Sequence, residues 1–342
     1  MSHQGSLRRS ESPGWGTCIS LVTGPLQAIA ATEAMLELGM RGPIFHYGRT
    51  PPLPGIRGLA SLAGTGPVLW MNRSHRLSQI WSSLRAGSRV LSGRHVVVGS
   101  LHQRPFVWAA ALTRGEAILV DDGTLTQGWA AARKEGVPSR GSLGRRVDER
   151  RMVVFSIYPV QAGSRDVVLR NRFNNVRGLY PSPIGSRDEV WVVGQPLIDH
   201  GYITTTQYLE LLKPFVARFG SKSIVYVSHP RESDRTAEEV SAILGLTPRR
   251  LDTPIELELL AGAQVPRRIF SISSTVLDTL PLLRAEDAHL PELWTVGPDE
   301  SLLREMPDVI ARRIRKLRDR SDLHVAEGEG QAPFSPGRAE HG

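Results

Sequence analysis

The 342-residue chain carries a single cysteine, Cys18. No internal disulfide can form, and a cysteine-based zinc site is excluded. No run of about 18 apolar residues occurs, so no transmembrane helix is expected. The opening MSHQGSLRRSESPG lacks the apolar centre of a secretory signal. These absences make a cytoplasmic protein the expectation. Cys/His fingers, RNA-binding aromatic motifs and an evident recognition helix are also missing, so no nucleic-acid partner is expected. Short internal repeats and heptad runs are not found.

What is present describes a globular chain of two domains. Hydrophobic residues make up 40% and charged residues 22%, ordinary values for a folded protein. The length supplies ample core for two units. The net charge is +8 and the sequence pI about 10.1, a balance that favours anionic partners. Arg far outnumbers Lys, and an Arg-rich composition accounts for most of that charge.

Strand and helix patterns alternate. Cys18–Val22 reads as a short apolar strand, followed by TGPLQ and an Ala- and Leu-rich helix over Ala28–Leu38, with Pro25 near its first turn. Further strands are expected at Pro43–Tyr47, Val68–Met71, His95–Val98, Glu116–Val120 and Met152–Tyr158. Helices are expected at His75–Leu84 and Phe106–Leu112, and PPLPG reads as a turn. Residues 133–151, with Arg133, Lys134, Arg140, Arg145, Arg146, Arg150 and Arg151, read as a mobile basic loop. A linker rich in Asn, Arg, Pro and Gly runs from Arg170 to Arg187.

The rhythm then restarts. Strands are expected at Glu189–Val193, Ile224–Val227, Arg249–Leu251 and Arg268–Ile272, with a last one at Trp294 and Val296. Helices are expected at Thr204–Phe219, Ala237–Leu244, Pro254–Leu260 and Leu302–Leu317. Such alternation predicts mainly parallel sheets covered by helices on both faces. The expected division is a disordered tail over 1–14, a first domain over 15–185, a second over 186–320 and a disordered tail over 321–342. The closing helix carries Arg312, Arg313, Arg315, Lys316, Arg318 and Arg320 among Val309, Ile310, Ile314 and Leu317. That pattern suits a solvated helix face or peripheral contact with an anionic inner membrane surface.

Three stretches carry chemistry. In IVYVSHPRE, His229 stands just past a buried strand and Pro230 fixes the turn behind it. Ligands of open α/β sheets bind outside the carboxyl ends of the strands, where a histidine can bind an anion or move a proton. In LVDDGT, Asp121 and Asp122 end a strand, and Gly123 allows a tight turn beside a ligand. A carboxylate there can serve as general base to a hydroxyl, cap the next helix or bind a metal. In SISSTVLDTL, Ser273, Ser274 and Thr275 open a helix. Their hydroxyls and the helix N–H groups suit a phosphate, or an ordinary helix cap.

The three motifs in this order resemble the bacterial sialyltransferases of the α-2,8-polysialyltransferase and lipooligosaccharide sialyltransferase families. LVTGPLQAIAATEAM, GQPLIDHGYITTTQYLELL and PIELELL are similar to family segments as well, so the resemblance runs from about residue 17 to residue 300. It implies an α/β GT-B fold, with two Rossmann-like doubly wound domains facing each other across a cleft. It also implies a CMP-sialic acid donor, a surface-glycan acceptor and an inverting reaction without metal or cofactor. On the matching positions, Asp122 would be the general base, with Asp121 as fallback. His229 would protonate or hydrogen-bond the departing phosphate. Ser273, Ser274, Thr275, Pro230 and Gly123 would line the donor site. Glu256 is a candidate for the ribose or the cytosine edge, and Gly194 and Gln195, before Pro196, for the nucleotide. Gly24 and Gln27, flanking Pro25, are candidates for the acceptor side. The N-terminal domain is shorter than is usual for polysialyltransferases. Another CMP-linked sugar such as Kdo or a nonulosonic acid, and a non-catalytic module that binds an anionic glycan, are the alternatives.

Overall fold

The computed structural model describes residues 16–48, 51–72, 95–121, 124–139, 141–284, 289–298 and 300–327. The expected N-terminal tail and the expected helix at His75–Leu84 lie outside the described residues, as do Asp122 and Gly123. The chain divides into two compact units, Met1–Leu179 and Tyr180–Gly342. Among the described residues no helix is long and apolar enough to cross a membrane.

The first unit is built on a wholly parallel sheet. Its strands are β1 (Cys18–Val22), β2 (Ile44–Gly48), β3 (Val68–Asn72), β4 (His95–Val98), β5 (Ala117–Val120), β6 (Met152–Ser156) and β7 (Val167–Arg170). Their spatial order is β3-β2-β1-β4-β5-β6-β7, so the winding reverses between β1 and β4. Helix α1 (Pro25–Glu37) follows β1, with Pro25 in its first turn. β1 is buried along its whole length, as a central parallel strand should be. Burial pushes the Cys18 thiol up to about 12, so it behaves as a small apolar core residue.

The second unit has six parallel strands: β8 (Gly185–Val193), β9 (Ile224–Val227), β10 (Thr247–Arg249), β11 (Gln264–Ser271), β12 (Glu292–Gly297) and β13 (His324–Glu327). Their order is β10-β9-β8-β11-β12-β13, with the reversal between β8 and β11. Alternate strand residues enter two separate cores. Val190, Val192, Ile224 and Tyr226 face one core with Tyr208 and Phe215. Trp191, Val193, Val225 and Val227 face the other, with Leu277 and Leu280. This two-sided burial is the physical mark of a sheet covered on both faces.

Several segments differ from the sequence expectation. Pro54–Leu62, part of which reads as a turn, forms helix α2, because Pro54 starts a helix as readily as it ends a strand. The basic stretch is not a mobile loop. It holds the end of α4 (Thr124–Lys134) and the whole of α5 (Gly141–Glu149), separated in sequence from α3 (Arg104–Leu112) by β5. Two of its arginines, Arg133 and Arg150, are structural, whereas Arg145, Arg146 and Arg151 are exposed. Arg133 binds Asp166 at 2.5 Å with side chains 8% and 0% exposed. Arg150 donates to the carbonyls of Ala110 and Thr113, at 2.6 and 3.1 Å. A guanidinium turned onto free carbonyls closes a helix end, which charge content alone does not reveal.

The expected linker contains α6 (Asn174–Arg177), and β8 already begins at Gly185. The buried carboxylate of Glu33 on α1 accepts from the backbone N–H groups of Asn175 and Val176, at 3.0 and 2.6 Å. The single closing helix is broken into α11 (Glu300–Arg304) and α12 (Asp308–Arg318), with Pro307 as the N-cap of the second, where its missing N–H costs no helical hydrogen bond. Where a tail was expected from residue 321, His324–Glu327 adds strand β13 to the sheet.

Candidate functional site

β8 lies between β9 and β11, so the loops that leave these three parallel strands emerge side by side at the carboxyl edge of the second sheet. The winding reverses between β8 and β11, the place where open α/β sheets form the crevice that takes a ligand. β8 delivers Gly194 and Gln195, β9 delivers Ser228 and His229, and β11 delivers Ser273, Ser274 and Thr275.

Gln195 crosses the reversal. Its Oε1 accepts from the Ser273 N–H at 3.0 Å and from the Ser273 hydroxyl at 2.9 Å. The Ser274 hydroxyl accepts from the Val276 N–H at 3.2 Å, in the first turn of α10 (Val276–Leu283). Thr275 stands at the N-cap without a side-chain cap bond. Arg313 of α12 holds the loop from behind. It donates to the carbonyls of Ser273 and Ser274, at 3.4 and 3.3 Å, and pairs with Asp278 at 2.7 Å. The Ser273 and Ser274 carbonyls are thus drawn toward Arg313. Most of the basic residues that suggested a membrane face are likewise paired: Arg315 and Arg318 with Glu300, and Arg320 with Asp278 and Asp322.

His229 is partly buried, and Pro230 beside it is exposed. The His229 Nδ1 accepts from the Arg231 N–H at 3.0 Å, which puts the ring proton on Nε2. Burial, with Arg231, His200 and Arg250 nearby, pushes its pKa down to about 4. At neutral pH the side chain is therefore an uncharged N–H donor. An anion bound against Nε2 would raise its proton affinity.

Sequence reasoning missed the network beneath this turn. Glu232 is 3% exposed. Its Oε1 accepts from the Tyr226 hydroxyl at 2.6 Å and its Oε2 from the His229 N–H at 3.1 Å. Tyr226 and Tyr208 meet hydroxyl to hydroxyl at 3.0 Å, and the Tyr208 oxygen accepts from the Gln195 N–H at 3.1 Å. Burial, partly offset by these hydrogen bonds, pushes the Glu232 carboxyl up to about 7. Gly194 makes the room: a Cβ there would lie 2.5 Å from Glu232 Oε2 and 2.7 Å from the Tyr226 hydroxyl. The available signal was a tyrosine at a core-facing position of β9, whose hydroxyl needs a buried partner.

Glu256 is not on the surface. It is buried at the start of α9 (Ile255–Ala261), where the Thr279 hydroxyl donates to it at 3.4 Å, and burial raises its pKa. It stands behind α10, the helix that Ser273–Thr275 introduce.

In the first unit the candidate residues form a separate set. Asp121 is fully buried at the end of β5. Its oxygens accept from the Ser156 hydroxyl at 2.5 Å and the Ile157 N–H at 2.6 Å. That carboxylate ties the ends of β5 and β6 together. Gln27 lies where β1 and β4 part, with Oε1 accepting from the Thr23 N–H at 2.7 Å. Gly99 packs so closely on it that a Cβ would lie 2.2 Å from that oxygen. Gly24 is the N-cap of α1 at an ordinary extended φ of −146°, in open space. A buried glutamine thus stands at the winding reversal of each unit.

No protein-family model matches the chain, and no curated protein does. Solved structures do match. One, assigned as a UDP-N-acetylglucosamine 2-epimerase from Listeria monocytogenes, is 12% identical and covers 82% of this chain and 78% of its own, with a TM-score of 0.52. An S. aureus MnaA–UDP complex is 12% identical and covers 90% of this chain and 89% of its own, with a TM-score of 0.51. These likenesses show the fold: two parallel-sheet, Rossmann-like domains of the GT-B kind.

Proposed function

We propose that this GT-B chain is an inverting glycosyltransferase that moves sialic acid from CMP-sialic acid to a hydroxyl of a surface glycan. The observation that carries the reading is the β8/β11 reversal, where Gln195 holds Ser273 and His229 offers a neutral Nε2–H. Hydroxyls, the first turn of a helix and an imidazole N–H together suit a nucleotide phosphate. The donor specificity rests on the motif resemblance.

In this reading the acceptor oxygen attacks the anomeric carbon while Asp122 takes its proton. Both Asp121 oxygens are already engaged, which favours Asp122 as the base. The bond from the anomeric carbon to the phosphate oxygen breaks, and CMP leaves with the electron pair. Negative charge grows on the phosphate, and donors already in place there stabilise it without reorganisation. His229 Nε2–H and the Ser274 and Thr275 hydroxyls would be those donors, while the Ser273 hydroxyl stays bound to Gln195. Arg312 and Lys316, the exposed cations of α12, would carry any contact with an anionic membrane face.

The test is CMP release from CMP-sialic acid, with water as the fallback acceptor. Wild type should release CMP. Asp122→Ala and His229→Ala should each lower the rate by about 100-fold, the usual size for loss of a base or an oxyanion donor. Release unchanged in both variants would refute the assignment. The likeness to a structure solved with UDP favours a second reading, a UDP-sugar enzyme of the same fold. Tighter binding of UDP than of CMP would select it.

A further inference from the structure

We propose that Glu232 is a positioning residue of the donor site: through Tyr226 and Tyr208 its carboxylate holds the loops after β8 and β9 in the arrangement that presents Gln195 and His229 to the nucleotide phosphate. The proposal rests on the donor-site reading above.

The geometry is one unbroken chain of hydrogen bonds. It runs from the His229 N–H to Glu232 at 3.1 Å and from Glu232 to the Tyr226 hydroxyl at 2.6 Å. It continues to the Tyr208 hydroxyl at 3.0 Å and to the Gln195 N–H at 3.1 Å. The Gln195 side chain then reaches Ser273 at 2.9 Å. A single carboxylate therefore connects all three loops of the crevice. Tyr208 and Tyr226 are fully buried, so phenylalanine at both positions would fill the same space without desolvating two hydroxyls. Packing alone does not call for these polar groups.

The bonds can be ordered in one direction through the chain, and that order suits the ionised carboxylate. The Gln195 N–H can only donate, so the Tyr208 oxygen accepts from it. Tyr208 is then free to donate to Tyr226, and Tyr226 donates to Glu232. With Glu232 ionised, every donor in the chain has an acceptor. A proton on the Glu232 oxygen that faces Tyr226 would reverse both tyrosine bonds and turn the Tyr208 O–H toward the Gln195 N–H. Other groups around the carboxylate support the loop. Arg250 donates to the Glu232 carbonyl at 2.9 Å, and Asp199 accepts at 3.0 Å from the N–H of Ser233, the N-cap of α8 (Asp234–Leu244).

The test uses Glu232→Gln and Tyr226→Phe at pH 8 in two measurements on the full chain. The first is hydrogen exchange without ligand. The Gln195 and His229 amides should exchange about tenfold faster in both variants, the loss expected for one buried hydrogen bond. The Ile269 amide in β11 should be unchanged. Unchanged exchange at Gln195 and His229 would overturn the proposal. The second is CMP affinity. Each single variant should bind CMP about tenfold more weakly, and the double variant no more weakly than either, because the groups act in series. A lowered denaturation midpoint with unchanged CMP affinity would show a purely structural network and also overturn the proposal. If the wild type binds neither CMP nor UDP, the donor-site reading fails, while the exchange measurement still decides whether Glu232 holds the two loops.

Discussion

Replacing Glu232 by Gln should change how stability depends on pH, and the sign follows from the fold. The folded carboxyl titrates at about 7, against 4.5 for an unperturbed glutamate. Between those values the folded state holds a proton that the unfolded chain has released. Stability from this group is therefore full below about 4.5 and lost as pH rises through about 7. A shift of that size amounts to about 3 kcal/mol at ~1.4 kcal/mol per pKa unit. His229 acts in the opposite sense. Its folded value of about 4 lies below the unperturbed 6.5, so its contribution is present above 6.5 and lost as pH falls through about 4. That shift also amounts to about 3 kcal/mol. The two effects cancel over most of their shared range, so this pair leaves the wild-type profile nearly flat. Single variants should uncover each limb. The stability of Glu232→Gln relative to wild type should rise by about 3 kcal/mol between pH 4.5 and 7. For His229→Asn, the same difference should fall by about 3 kcal/mol between pH 4 and 6.5. The assay is urea denaturation at a series of pH values, followed by tryptophan fluorescence, with Trp191 and Trp294 reporting the second unit. A Glu232→Gln difference that stays level from pH 4.5 to 7 would refute the reasoning. It would mean that the hydrogen bonds from Tyr226 and His229 balance desolvation.

Other outcomes follow from packing. Gly194→Ala would place a methyl group 2.5 Å from Glu232 Oε2. Equilibrium denaturation should show a loss of roughly 2–5 kcal/mol, from overpacking plus a weakened buried hydrogen bond. Gly128→Ala, inside α4 with nothing within 4 Å, should instead gain about 0.5–1 kcal/mol in the same assay. Asp278→Ala strands two guanidiniums, Arg313 and Arg320, each 2.7 Å from that carboxylate. It should lower stability by about 3 kcal/mol, whereas Arg320→Ala, which leaves Asp278 paired with Arg313, should cost about 1 kcal/mol.

How legible the chain was depends on the range of the interactions. β1, β4 and β9 were readable to the residue, because short β-branched runs in central parallel strands are buried on both sides. Helix α2 was hidden by its prolines and glycines, and β13 by having only HVAE to show. Residues 133–151 looked solvated because local charge does not show that Arg133 finds Asp166 and Arg150 finds carbonyls in another helix. The site divides in the same way. Ser273, Gln195 and His229 stand at strand ends, where position alone points to a ligand. Glu232 drew no attention because Tyr208, which completes its network, lies on α7 (Thr205–Phe219) in a different stretch of chain. The Gly194 requirement is equally invisible locally, since its backbone has no left-handed angle.

The closing strand also fixes when the second unit can finish folding during synthesis. β13 pairs with β12 from Trp294 to Gly297, His324 stacks on the Trp294 ring at 4.7 Å, and Ala326 enters the core beside α7. Until residue 327 clears the ribosome, β12 presents an unpaired edge and Trp294, packed against Phe219, lacks the His324 ring on its other face. The nascent sheet therefore carries β12 as a second open edge, besides β10, and adding β13 replaces it with a strand of only four residues.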